Sequence, residues 1–119
     1  MKHVLLFSAL LLSSQLLANE ADVIEVRVEC RVTCNFHVTL KHKDAGWNHY
    51  ANRWDIVAPD GSVLGSRVLL HPHVNEQPFT RSLTGVKIPP GIKQVTIRAK
   101  DSVHGYGGKE KQVDLSTAR

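Results

Sequence analysis

The sequence lacks the catalytic motifs that would indicate a particular reaction. It contains no HExxH zinc motif, and Ser66, Ser82 and Ser102 stand in no nucleophile elbow. Its single methionine is Met1, which excludes a thioether copper(I) site in the rest of the chain. Catalysis is therefore the least favoured class of function.

The sequence also has no cluster of charged residues of one sign. The chain has 15 Lys and Arg against 11 Asp and Glu, and its basic residues alternate with apolar ones instead of forming a block. Nucleic acid is not an expected partner, because its recognition needs a clustered basic surface. The sequence shows no internal repeat and no amphipathic helix pattern.

The one long apolar run lies at the N-terminus. A short positive start at residues 1–3 is followed by apolar residues from 4 to 17 and by the small residue Ala18. This pattern predicts a signal peptide over 1–18 that is removed, with Ala21 as an alternative end. The run is shorter than the roughly 20 residues of a spanning helix, so stable membrane insertion is not expected. Residues 19–119 are predicted to form one exported domain, periplasmic or secreted.

Apolar and polar residues alternate from residue 24 to residue 42. This period predicts β structure, and its length predicts a hairpin, because strands usually run about five or six residues. A turn at 31–33 places Cys30 opposite Cys34 and keeps the apolar residues on one face. The further predicted pairs are Val28 with Phe36, Val26 with Val38 and Ile24 with Leu40. Export predicts a Cys30–Cys34 disulfide, with a thiolate metal pair or free thiols as the alternatives.

Shorter β segments follow, separated by turns. In Pro59-Asp60-Gly61-Ser62, proline fixes φ and glycine accepts a positive φ. The predicted strands are A (23–29), B (35–42), C (53–58), C′ (62–70), E (79–84), F (92–100) and G (109–115). Seven strands without a helix pattern predict an all-β antiparallel sandwich.

Two stretches resemble known proteins. Leu83-Thr84-Gly85-Val86-Lys87-Ile88-Pro89-Pro90-Gly91-Ile92 and the alternating residues 95–101 resemble the E–F corner and F strand of fibronectin type III and related immunoglobulin-like domains. Residues 44–108, especially 46–51, 71–81 and 101–108, resemble a group of small exported bacterial proteins without an assigned activity. The resemblance implies an immunoglobulin-like (fibronectin III-like) seven-stranded sandwich, and it implies no activity for any residue.

Histidines lie in three of the predicted connections. The segments are Gly46-Trp47-Asn48-His49-Tyr50, His71-Pro72-His73 and Val103-His104-Gly105-Tyr106. In an immunoglobulin-like sandwich the B–C, C′–E and F–G connections emerge at one end. The predicted metal ligands, for copper(II) or zinc, are His49, His71, His73 and His104. The predicted ligand-binding residues beside them are Trp47, Tyr50, Glu76 and Tyr106.

Other functions stay open. A non-catalytic module that binds a protein or small ligand in the periplasm would use the aromatic residues without a metal. A metal-dependent hydrolase would use Glu76 or Asp101 as its base. Blue-copper electron transfer is excluded, because the predicted hairpin places both cysteines at the opposite end from the histidines.

Several of these residues also have purely structural interpretations. His71-Pro72-His73 can be a rigid turn, and in an extended chain its two rings would face opposite ways. Trp47 and Trp54 are predicted to be packed aromatic residues. His37 and His42 are predicted to be an exposed strand residue and an edge residue.

Overall fold

The structure, a computed structural model, describes residues 20–119, and the predicted signal peptide over 1–18 lies outside them. The described strands are β1 (Asp22–Cys30), β2 (Cys34–Lys41), β3 (Ala51–Val57), β4 (Val63–Val68), β5 (Phe79–Val86), β6 (Gln94–Asp101), β7 (Gly105–Tyr106) and β8 (Lys111–Asp114). A single 3-10 turn follows at Leu115–Thr117. No helix in this part of the chain has the length and hydropathy of a membrane crossing.

The strands form two antiparallel sheets. One has the order β1-β2-β5, and the other has the order β4-β3-β6, with both β7 and β8 pairing with β6. The prediction of an all-β antiparallel fold is confirmed. The described residues contain eight strands, however, and not the seven that the sequence predicts.

The additional strand is β7, which lies in the predicted F–G connection before the last predicted strand (109–115). Gly105 of β7 pairs with Asp101, and Lys111 of β8 pairs with Ile97 further along the same strand. Between these two pairings, the carbonyl of Lys109 accepts a hydrogen bond of 2.8 Å from Val23 N. The segment 107–110 therefore leaves β6 to contact the start of β1, a non-local contact that strand propensity does not reveal.

The β1–β2 hairpin has the predicted turn, but its register changes along the strands. The pairs Cys30–Cys34, Val28–Phe36 and Val26–Val38 are confirmed. The predicted pairing of Ile24 with Leu40 is wrong, because a bulge between Val23 and Glu25 places Val23 opposite Leu40. A bulge adds one residue to a strand and reverses which side chains face inward. Val23 is consequently buried, and Ile24 is 38% exposed.

Side chains from both sheets form one hydrophobic core. Its largest fully buried members are Trp54, Phe36, Phe79, Leu40, Ile56 and Ile97. The predicted burial of Trp54 is confirmed. Trp47 is not part of the core: it lies in the β2–β3 connection, is 67% exposed and packs against Tyr50 of the same connection.

Cys30 and Cys34 form a disulfide across the hairpin turn, with an S–S distance of 2.05 Å. The loop that it closes is very short, so the bond restricts the unfolded chain only modestly. For a loop of about five residues, the chain-entropy relation gives about 2 kcal/mol.

We therefore expect the Cys30→Ser, Cys34→Ser double variant to lose about 2 kcal/mol of unfolding free energy in urea denaturation. Peptide mass mapping of the unreduced protein should show the bond within one molecule. Intermolecular or free thiols would contradict this assignment.

Candidate functional site

Connections from both sheets meet at one end of the fold. Leu40 of β2 pairs with Phe79 of β5 in one sheet, and Ala51 of β3 pairs with Asp101 of β6 in the other. The connections at this end carry His42, His49, His71, His73 and His104. We refer to this region, residues 42–50, 69–78 and 101–104, as the histidine end.

Asp101, the last residue of β6, is the centre of the site. Its side chain is fully buried. Oδ1 accepts hydrogen bonds from the backbone N–H groups of Val103 (2.8 Å) and His104 (2.5 Å), and Oδ2 accepts one from Nδ1 of His104 (3.1 Å). Burial by itself would raise the pKa of Asp101, but these hydrogen bonds outweigh it and hold the pKa below its usual value. The buried carboxylate is therefore ionised at neutral pH.

His42 lies between two buried carboxylates. Its Nδ1 donates to Oδ1 of Asp44 at 2.5 Å, and its Nε2 lies 3.3 Å from Oδ2 of Asp101. The imidazole is fully buried. Nε2 of His42 therefore faces an ionised carboxylate across a distance that a bound cation could bridge.

Asp44 binds the His42 ring on Nδ1, the nitrogen that does not face Asp101. Its Oδ1 also accepts from Ala51 N at 3.0 Å, and its Oδ2 accepts from His73 N at 2.7 Å. A carboxylate bound to one imidazole nitrogen fixes the tautomer and directs the other nitrogen outward. Metal-bound histidines commonly have such a partner.

His49 contributes a nitrogen that no group in residues 20–119 satisfies. Its Nε2 is buried, has no hydrogen-bond partner there, and lies 3.6 Å from Oδ1 of Asp101. The ring packs against those of His42 and His104, with centroid distances of 4.8 and 4.9 Å. A buried polar atom without a partner costs about 1–3 kcal/mol. Nε2 of His49 is therefore well placed to bind a ligand.

The geometry of these groups fits a metal ion. Candidate ligand atoms of His42, His49 and Asp101 all lie within 4.8 Å of one another. Around a tetrahedral zinc ion with bonds of about 2.0–2.1 Å, neighbouring ligand atoms are about 3.4 Å apart. His42 Nε2 lies 3.3 Å from Oδ2 of Asp101 and His49 Nε2 lies 3.6 Å from Oδ1, so each nitrogen is near this spacing from a different oxygen of the carboxylate. These three residues could hold zinc(II) or copper(II).

The structure brings only some of the four predicted metal ligands close to one another. His49 and His104 both lie beside Asp101, whereas His71 and His73 form a separate pair with a centroid distance of 4.8 Å. Sequence reasoning missed His42 as a ligand. Its spacing from Asp44, which lies two residues later, was the available signal.

The prediction that His42 is an edge residue is wrong. His42 is buried because its backbone N–H donates to Gln77 and its ring to Asp44. His37 is a β2 residue on the outer face of the first sheet, and its side chain is 19% exposed because its ring lies between Ser82 and Glu29.

The predicted ligand-binding residues are divided among different surroundings. Trp47 and Tyr50 pack edge to face, with centroids 5.7 Å apart, in the same connection as His49. Glu76 pairs with Arg81 at 3.1 Å. The expected position of Tyr106 beside the histidines is not observed, because its hydroxyl donates to Asp55 of β3 at 2.5 Å. This contact places Tyr106 on the outer face of the second sheet.

Comparisons with known proteins gave one informative relative. The chain is 40% identical, over 107 residues, to a protein of Halomicrobium mukohataei described as "Putative lipoprotein". The alignment covers 88% of this chain and 52% of that protein, so the chain spans about half the length of the relative. No protein-family model matches the sequence, and no solved structure matches it.

Proposed function

We propose that the protein is an exported metal-binding domain, which holds zinc(II) or copper(II) through His42, His49 and Asp101. The observation that supports this most directly is the buried, unpartnered Nε2 of His49, which faces Asp101 beside Nε2 of His42. A metal ion would satisfy this nitrogen and would also occupy the space between His42 and Asp101. One ion therefore accounts for both features.

Two further residues support the proposed ligands. His104 donates to Asp101 and orients its carboxylate, and Asp44 accepts from Nδ1 of His42 and orients its ring. His49 is partly exposed, so the site can exchange ions with solvent. Zinc(II) accepts imidazole and carboxylate ligands, and copper(II) binds nitrogen and oxygen ligands more strongly.

We also propose an immunoglobulin-like sandwich that is exported to the periplasm or secreted as one domain over 19–119. The sheet orders β1-β2-β5 and β4-β3-β6 support the topology, because with the predicted strand names they read A-B-E and C′-C-F, as in an immunoglobulin-like sandwich. The signal-like residues 1–18 and the lipoprotein name of the relative support export.

A second candidate function is the binding of a protein partner without a metal. The observation that favours it is the group of exposed apolar side chains at or beside the histidine end, namely Trp47, Leu70, Val74 and Val103. Exposed apolar clusters are typical of protein-binding surfaces.

Metal titration separates the two functions. With the purified protein lacking a histidine tag, we expect stoichiometric zinc(II) binding in calorimetry, and His49→Ala should weaken it by at least about 10–100-fold, the loss that even an outer-shell partner causes. His37→Ala is the matched control, because its ring contacts Ser82 and Glu29 instead of Asp101.

Circular dichroism should show that both variants remain folded. The proposal fails if the unmodified protein binds no stoichiometric metal, or if His49→Ala and His37→Ala bind zinc(II) equally well. In that case protein binding becomes the better-supported function.

A further inference from the structure

His71 and His73 form a second histidine pair at the histidine end. Their ring centroids are 4.8 Å apart, with the ring planes inclined by 42°. Residues two apart in an extended chain would point to opposite sides. The chain bends at His71, and Pro72 restricts the backbone between the two histidines. The bend therefore brings both rings to the same place.

His73 carries two ring nitrogens that lack partners in the described chain. The residue is 6% exposed, and its ring stacks on Phe79 with a centroid distance of 4.1 Å and an angle of 14°. Both Nδ1 and Nε2 are buried without a hydrogen bond. Buried polar atoms nearly always have a hydrogen-bond partner or a bound ligand. We therefore expect the His73 ring to bind a group that the described residues do not supply.

His71 supplies a complementary nitrogen on the solvent side. Its Nδ1 makes a long hydrogen bond of 3.4 Å to the carbonyl of Pro72. When Nδ1 donates its proton to this carbonyl, the lone pair lies on Nε2, which is then available to a ligand. His71 is exposed, so an ion can reach the pair directly from solution.

We propose that His71 and His73 form a second metal site, an open two-imidazole site that binds copper(II), with Glu76 as a nearby carboxylate. Copper(II) is favoured because it leads the divalent affinity order and accepts a set of imidazole, carboxylate and water ligands. The site goes beyond the first one and shares no ligand with it. Asp44 connects the two, because it accepts hydrogen bonds from the His73 backbone and from the His42 ring.

Copper(II) titration of four proteins tests this site separately from the first. We expect the unmodified protein and His37→Ala to bind two equivalents of copper(II) per chain. We expect His71→Ala and His49→Ala to bind one equivalent each. We change His71 and not the buried His73, because replacing an exposed side chain should leave the fold intact. Loss of one copper(II) equivalent would then reflect loss of a ligand. Electron paramagnetic resonance of copper-loaded His49→Ala should show coupling to two imidazole nitrogens.

Each outcome distinguishes the two sites. If His71→Ala binds as many equivalents as the unmodified protein, or if the spectrum of copper-loaded His49→Ala shows fewer than two imidazole nitrogens, the second site is wrong and the first is unaffected. If His49→Ala binds as many equivalents as the unmodified protein while His71→Ala loses one, the second site stands and the proposed first site is wrong.

Discussion

Replacing Trp54 by alanine should lower the free energy of unfolding by about 3–5 kcal/mol. Trp54 is fully buried in β3 and is the largest side chain of the core. Its neighbours belong to both sheets, so they cannot close the cavity without moving a sheet. The loss therefore combines the transfer of an aromatic side chain to water with the cost of an unfilled cavity.

Trp47→Ala is the matched control for this variant. The same substitution at a side chain that is 67% exposed should change stability by no more than about 0.5 kcal/mol. Urea denaturation followed by circular dichroism measures both variants on one scale. Equal losses in the two would show that Trp54 does not lie in the core described above.

Replacing Asp55 by asparagine should cost about 3 kcal/mol at neutral pH, because it removes the buried charge that two arginines surround. The Asp55 side chain is fully buried on the outer side of β3. It contacts Arg53 Nε at 3.2 Å and Arg98 Nε at 3.0 Å, and it accepts from Ser66 at 2.6 Å and from Tyr106 at 2.5 Å. The Arg98 guanidinium also lies 4.1 Å above the Tyr106 ring centroid.

The effect of Asp55→Asn should depend on pH in a defined direction. Burial would raise the pKa of Asp55, but hydrogen bonds from Ser66, Tyr106 and Arg98 and the charge of Arg53 hold it below its usual value. A lowered folded pKa contributes stability above the unfolded pKa of about 3.9, and that contribution disappears as the pH falls through the folded value. The difference between the original protein and the variant should therefore be largest near pH 7 and should shrink below about pH 4.

Asp60→Asn provides the control for the pH series. Asp60 is an exposed turn residue whose pKa is lowered mainly by hydrogen bonds from the backbone and side chain of Ser62. Its replacement should change stability much less at every pH. A constant difference for Asp55→Asn across pH 3–7 would mean that its ionisation does not contribute to the stability of the fold.

The candidate site shows how far sequence patterns reach. Predicted topology correctly placed His49 and His104 at the same end, because loop positions follow from the strand order. The same argument could not separate His71 and His73 from that pair, since loop conformation decides which rings meet. The sequence shows only the spacing of His42 from Asp44, and the role of His42 also depends on Asp101, which is far away in the chain.

The sequence alone determined the all-β class, the hairpin turn at 31–33, the disulfide pairing and the burial of Trp54. Each of these depends on local alternation or on short spacing, which the chain specifies without knowledge of its neighbours. Only the tertiary structure decided the bulge at Val23, the interruption between β7 and β8, and the gathering of three imidazoles around Asp101. These features arise from contacts between distant segments, and such contacts override local preference because burial and hydrogen bonding are satisfied across the whole fold.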